Sequence, residues 1–248
     1  MVEIIQKSKY LLSALLTVAI LCPFYSFAYI IPASQIIEFM TNKYSAVKTL
    51  KIIQINRIVG INQEYGNSIE NIIYVMFPDL YRSEISGPLH KRIQINNGDC
   101  RLSVVDGMIN DSEDTSDLPY HFLFIAQNHQ ETLNYFKDLG INVEKTSLTR
   151  YAGKISYLIG DRENESPKLI VDKELFLPLL LKYHDSLFIF SDYKDMMEKD
   201  LYPYKVVHLH NGIKEEYSVK GIMVNPPLDL YLFEIPIIRD RFNKKVSE

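Results

Sequence analysis

"YKVVHLHNGIKEEYSVKG", residues 204–221, decides the fold class. Two runs rich in β-branched and aromatic residues flank Asn211-Gly212, and an Asn-Gly pair in that setting is the strongest short-range hairpin signal. The pattern recurs at Asn97-Gly98, between HKRIQIN and CRLSVVDG. KIIQINRIVG, NIIYVMFP, LYRSEIS, KISYLIGD, PKLIVD, LFLPLLLKY and SLFIFSDY are further runs rich in apolar β-formers, broken by turn residues. Together they predict a mainly β (α+β) chain, an antiparallel meander of about eleven strands.

Several strands alternate. Ile93 and Ile95 oppose Arg92 and Gln94, Leu102 and Val104 oppose Arg101 and Ser103, and Tyr157 and Ile159 oppose Ser156 and Leu158. Such a sheet has one apolar and one wet face. With so many strands it curls into an open half-barrel. Two helices are available to cover the concave side. Ser34 suits an N-cap, and Ile36, Ile37, Met40, Tyr44 and Val47 follow at helical spacing. After a polar loop, Asn110 to Asp117, comes HFLFIAQN and a second helix. Asn128 is its expected cap, with Glu131 three residues on, and Gly140 its stop. Two readings stay open: the helices fill the concavity, or they cover it loosely and leave room for an apolar ligand.

The 248 residues are 47% apolar with a net charge of −4. This excludes bulk disorder and gives no basic signal for nucleic acid. Lys7 and Lys9 precede an apolar run, Leu11 to Leu21, and Ser26-Phe27-Ala28 offers small residues at the cleavage positions. Residues 1–28 read as a cleaved secretory signal and 29–248 as one domain; an uncleaved anchor is the alternative. Cleavage leaves Cys100 as the single cysteine, so no internal disulfide is expected.

Catalytic and metal signals are weak. No G-x-S-x-G, H-E-x-x-H, P-loop or C-x-x-C string occurs. His208 and His210 share a strand face but lack an evident third ligand. Asp111, Glu113, Asp114 and Asp117 lack the glycine of a calcium loop. His184, Asp185 and Ser186 are sequence neighbours, which point to opposite faces of a strand. No catalytic residue, metal or cofactor is expected.

The order of the strings resembles the periplasmic lipoprotein-carrier superfamily, LolA-like proteins with the related LolB and RseB domains. IIYVMFPDLYRSEI (residues 72–85) is similar to its strand-Pro-x-x-aromatic segment, and INNGDCRLSVVDG (95–107) to its next hairpin. LPYHFLFIAQNHQETLNYF (118–136) is similar to its lid helix. TRYAGKISYLIG, KLIVDKELFLPL and VNPPLDLYLFEIP match later strings in order. The resemblance implies an antiparallel half-barrel closed by helices over an apolar cavity for acyl chains. It implies a non-enzymatic periplasmic carrier in lipoprotein sorting, with acyl chains, lipidated proteins and sorting components of the two membranes as partners. A regulatory or protein-interaction module on the same fold is the alternative. The expected groove is Ile73, Val75, Phe77, Ile93, Ile95, Leu102 and Val104, with Ile155, Tyr157, Leu177, Leu179 and Leu181. The expected lid is Ile36, Met40, Phe122, Phe124 and Ile125. Carriers of this family tend to have an arginine before the strand-end proline, where Phe77 stands here and would hold the lid by packing.

In LFLPLLLKY (175–183), Leu177, Leu179 and Leu181 would point inward and Phe176, Pro178 and Leu180 outward. Pro178 lacks a ladder donor, which predicts a bulge.

Overall fold

Thirteen strands form one antiparallel sheet in the computed structural model, with spatial order β6-β5-β4-β3-β2-β1-β13-β12-β11-β10-β9-β8-β7. The structure describes residues 30–59, 68–87, 91–98, 100–110, 118–124, 126–196 and 199–245. The expected signal segment and the acidic loop Asp111 to Asp117 lie outside them. The compact unit begins at Ile31.

The topology follows from hairpins. From β1 (Thr49–Val59) the chain steps outward through β2 (Ile69–Met76), β3 (Leu80–Ser86), β4 (Lys91–Asn97), β5 (Arg101–Val105) and β6 (Met108–Ile109). It then starts again at the far edge with β7 (Thr146–Tyr151), β8 (Lys154–Gly160), β9 (Lys168–Asp172) and β10 (Pro178–Tyr183). It returns through β11 (Ser186–Met196), β12 (Lys199–His210) and β13 (Ile213–Val224), which pairs with β1. The sheet thus has two arms, β1–β6 and β7–β13, and ends on two edges, β6 and β7. Asn211 (φ 49) and Gly212 (φ 76) both take positive φ, the geometry a two-residue turn needs to match strand twist. The register shifts at Ile53/Gln54, Pro178/Leu180 and Tyr193/Asp195, and bulges of this kind bend a sheet.

Among the described residues, four α-helices accompany the sheet. They are α1 (Ala33–Asn42), the short α2 (Leu118–Phe122), α3 (His129–Asp138) and α4 (Ile235–Lys245), with a 3₁₀ turn at Leu230–Phe233. The cap of α1 differs from expectation. Pro32 occupies the N-cap and Ser34 is already inside the first turn, because Pro suits the helix entrance with its fixed φ and missing donor. The cap of α3 is as the sequence suggests. Asn128 Oδ1 accepts from the N–H groups of Gln130 and Glu131, at 3.0 and 3.4 Å, and Asn128 Nδ2 donates to Glu131 Oε1 at 2.9 Å.

Two apolar clusters stabilise the unit. The larger joins α1 and α3 to the inner face of the sheet through Ile36, Ile37, Met40, Leu133 and Phe136. The smaller joins Ile95, Leu102 and Val104 to Ile235 and Ile238 of α4, with Ile93, Ile109 and Phe242 around them. Cross-strand register puts these β4–β5 residues on the outer face. Ser83 pairs with Gln94 and Gln94 with Ser103, so Ile93, Ile95, Leu102 and Val104 point the other way from the inward-facing Ile73 and its partner Ser83. Arg82, almost fully buried on that side, donates to Leu232 O at 2.8 Å and to Glu84 Oε1 at 2.7 Å, and Asn97 Nδ2 donates to Phe233 O at 3.3 Å. These bonds seat the chain just before α4.

Asn225, at φ 55, ties the last strand to the first. Its Oδ1 accepts from the N–H groups of Lys48 and Thr49 at 2.7 and 3.3 Å.

A roofed apolar face and a polar row

The inner face of the second arm is the apolar surface the strand pattern foreshadows. Tyr157 pairs with Val171, Ile159 with Leu169, Leu169 with Leu181 and Leu181 with Phe188. With Phe190 and Val206 they form one continuous buried patch. Across β1 and β2 it continues into Leu50, Ile52, Ile73 and Val75. Phe124 meets Phe190 edge-on at 5.4 Å and Tyr202 at 4.8 Å. The roof is α1, α3 and the turn after α2. Gln127, just before α3, ties it to the segment after α1: its Nε2 donates to Tyr44 O and Val47 O, each at 2.8 Å. Apolar contact adds to these bonds, through Ile36, Ile37, Met40, Leu133 and Phe136.

Of the expected groove residues, Ile73, Val75, Tyr157 and Leu181 line this face, and Phe77 is half-buried at its margin. Leu177 is buried in the turn leading to β10, and Leu179 is half-buried at the bulge. Of the expected roof, Ile36, Met40 and Phe124 are buried in it, while Phe122 is half-buried against Tyr135 at 4.2 Å. Ile125 lies outside the described residues. Five expected residues are elsewhere. Ile93, Ile95, Leu102 and Val104 belong to the outer face under α4. Alternation separates two faces without saying which is inside, and the covering helix chose the other one. Ile155 is 52% exposed, because it sits next to the β7–β8 turn, beyond the reach of the roof.

Phe176 is also corrected. It takes φ 51 and packs inward, 4.7 Å from Phe39 and 6.0 Å from Tyr157. The reason is the bulge. Pro178 pairs with Val171 and Leu181 with Leu169, so both share the inner face although three residues apart, and strict alternation fails across 176–181.

The inner face of the first arm turns polar. Gln54, Asn71, Ser83, Gln94 and Ser103, one from each of β1–β5, are all buried. Gln94 and Ser103 were expected on a wet face. Above them, His121 of α2 has Nδ1 3.1 Å from Tyr202 Oη, and burial lowers its pKa to about 3, so the ring is neutral.

A hydrogen-bond chain runs along the rim of the second arm. Its geometry assigns Asn211 Nδ2 as donor to His210 Nε2 (2.8 Å), with Ser186 Oγ between His210 Nδ1 (3.1 Å) and His208 Nε2 (3.3 Å). His208 Nδ1 then reaches Glu215 Oε2 at 3.1 Å, and Tyr217 Oη donates to the same oxygen. Burial works to raise the Glu215 carboxyl, but the bonds from His208 and Tyr217 outweigh it and hold it below the usual range. The Ser-His-carboxylate order resembles that of a hydrolase. Ser186 itself is paired on both sides, with Tyr183 and His210, so it sits within the strand ladder. Phe188 stacks flat on His208 at 4.0 Å. The arrangement is a cross-strand chain, made legible only by register, since Ser186 and His208 are far apart in sequence. Among the described residues no group of three or more His, Cys, Asp or Glu could hold a metal ion, and no helix is long and apolar enough to cross a membrane.

Neither a family model nor a curated protein matches the chain. Solved structures do match. A putative outer membrane lipoprotein-sorting protein domain from Vibrio parahaemolyticus superposes with a TM-score of 0.54 at 10% identity, covering 83% of this chain and 97% of the other. A LolA superfamily protein from Nitrosomonas europaea gives 0.55 at 9% identity, covering 84% and 99%. A DUF1329 family protein from Desulfovibrio piger gives 0.57 at 11% identity, covering 84% and 99%. The chain therefore has a LolA-like fold.

Proposed function

We propose that this chain is a non-enzymatic carrier or chaperone for acyl chains or lipidated proteins, working outside the cytoplasm, in the periplasm. The observation that carries this reading is the apolar inner face of the second arm under a roof of short helices rather than under a second sheet. Burying acyl chain stabilises a complex by about 0.8 kcal/mol per CH₂. A chain that slides between α1 or α3 and the sheet would exchange one apolar contact for another, so displacement is nearly balanced. The roof parts are joined by Gln127 and side-chain packing, which keeps the opening cost modest. The Vibrio structure, named for lipoprotein sorting, shares the fold and makes membrane components of that sorting the natural partners. Residues 1–28, read as an export signal, fit the location.

A second reading has its own observation. Phe124 and Phe136 are fully buried against the inner face, as in a regulatory or interaction module whose concavity is filled by its own side chains. A fluorescent fatty acid separates the two. The carrier reading expects saturable binding to the purified protein, and stronger binding to Gln127→Ala, which loses two bonds worth about 1 kcal/mol each. Absence of binding by both proteins, together with native mass spectra free of lipid, would leave the interaction module.

A further inference from the structure

The two edges of the sheet are built differently. β6 is two residues long, and its Ile109 packs against the α4 cluster. β7 is six residues long and pairs with β8 without a register shift. Its sequence, TSLTRY, has no proline and no lysine. Sheets blunt an exposed edge with brevity, charge, proline, a bulge or a cover. Of these devices β7 itself carries one charge, Arg150.

The β7–β8 turn fixes where the backbone groups of β7 point. Ala152 (φ 46) and Gly153 (φ 83) form a two-residue loop, so Tyr151 and Lys154 close the hairpin as a hydrogen-bonded pair. Bonded pairs then recur at Thr149–Ser156 and Ser147–Leu158. The N–H and C=O of Thr146, Leu148 and Arg150 therefore point away from β8. Two bonds agree with this parity. Gly160 N–H donates to Lys145 O at 2.9 Å, in phase with the bonded pairs. Arg162, in the loop after β8, donates from Nη2 to Leu148 O at 3.0 Å, as an outward-facing carbonyl allows.

The three outward residues are spaced two apart, the repeat that a further antiparallel strand needs. Centred on Leu148, the edge is its own complement. Leu148 faces Leu148 of a second copy and Thr146 faces Arg150, each pair exchanging two bonds. Leu148 is half-buried against the inner cluster, so the central side-chain contact is apolar. Charge selects the same arrangement. Around the start of β7 one open pocket is lined by Glu144, Asp161 and Glu163 with Lys145 and Arg162, three acids against two bases. At the far end Arg150 and Lys154 are exposed, and both are basic. An antiparallel copy sets the basic end of each β7 against the acidic end of the other. A two-fold contact between like edges closes at two chains and leaves no further β7 to extend it.

We propose that β7 is an interaction surface for a second copy of this chain, the two strands pairing antiparallel about a two-fold axis at Leu148. Arg162 guards the seam, because its guanidinium must leave Leu148 O before the copies pair. A seam of three bonded residue pairs is small, so the dimer is weak and reversible. It does not depend on what the roofed face carries.

Sedimentation equilibrium of the purified protein tests this, with a monomer–dimer Kd on the order of 100 µM expected. Arg150→Pro removes an outward N–H and spares the β7–β8 ladder. It should weaken the dimer about tenfold or more with the melting temperature unchanged. Thr146→Pro removes another outward donor and gives the same reading if Arg150→Pro does not fold. Arg162→Ala, which uncovers Leu148 O, should tighten the dimer. Amide exchange locates the seam. Raising the protein from about 10 to about 500 µM should slow exchange at Leu148 and Arg150, while Ser147 and Thr149 are protected at both concentrations. A monomer up to about 500 µM would overturn the proposal and leave the edge to an extended peptide of another protein. A dimer unchanged by the folded proline variants, or association that runs past two chains, would overturn it as well.

Discussion

In β8–β11 the inner face is apolar and aromatic, and helices α1 and α3 lie against it. In β3–β5 the inner face is lined by Ser83, Gln94 and Ser103, and the helix lies outside, on Ile95, Leu102 and Val104. The first arm alternates in sequence through β4 and β5, whereas the second carries apolar residues such as Leu158, Ile170 and Leu180 on its outside too. The arms also differ in which face the chain's remaining segments return to cover. A buried polar face is tolerable only when its groups pair with one another, as Ser83 does with Asn71, whereas an apolar face needs a lid. Strands β4 and β5 therefore use their apolar residues to hold α4, and the second arm keeps its own under the roof.

The largest expected effect breaks or sharpens this contrast directly. Leu102→Ala and Leu169→Ala each remove a buried leucine, one from each cluster, and each should destabilise by about 2–5 kcal/mol in urea titrations. Only Leu169→Ala should also change the affinity for a fluorescent fatty acid. An equal change in Leu102→Ala would mean that the outer cluster takes part in acyl binding and the two arms are not functionally distinct.

Much of the architecture is legible in the chain. Asn97-Gly98 and Asn211-Gly212 mark real hairpins, and Asn128 with Glu131 marks a real cap. Phe188 and Phe190, two apart in SLFIF, signal the inner aromatic patch that the expected groove omitted. Helix α4 also has a local signature, Pro236 in its first turn with Ile235, Ile238 and Phe242 at helical spacing. What is not legible is sidedness. Ile93 and Leu102 look like groove residues because period two cannot rank its two faces. Cross-strand partners such as Ser186, His208 and Glu215, and the bulge that turns Phe176 inward, depend on register, which no local string contains. On the outside of the second arm, Leu158, Ile170, Leu180, Ile189 and Val207 pair in one row across five strands. They explain why LFLPLLLKY is apolar on both sides.

The two arms also meet at a titratable group. His121, buried between Tyr120, Tyr81 and Tyr202, has its pKa lowered from 6.5 to about 3 by burial. Above pH 6.5 the ring is neutral in both folded and unfolded chains. Between 6.5 and about 3 only the unfolded chain takes up the proton, so stability falls by about 1.4 kcal/mol for each unit of falling pH. Below about 3 this loss is complete. His121→Asn, which keeps a polar atom near Tyr202, should flatten the urea midpoint against pH in that window relative to wild type. An unchanged slope would place the proton elsewhere and remove α2 from the roof's pH response.

The smallest effect concerns the rim. Ser186 Oγ stands between the imidazoles of His210 and His208, and under the carrier reading its hydroxyl serves only that chain of bonds. Ser186→Ala removes one half-exposed hydroxyl whose partners can turn to water, and net hydrogen bonds of that kind are worth about 1 kcal/mol or less. Fatty-acid affinity should not change, since the apolar patch at Leu169 and Leu181 is untouched. Wild-type protein should take no label from a fluorophosphonate. Stoichiometric labelling that Ser186→Ala abolishes would make His208 a base and Glu215 its orienting carboxylate, and would turn the second arm from a carrier surface into an esterase with its own acyl site.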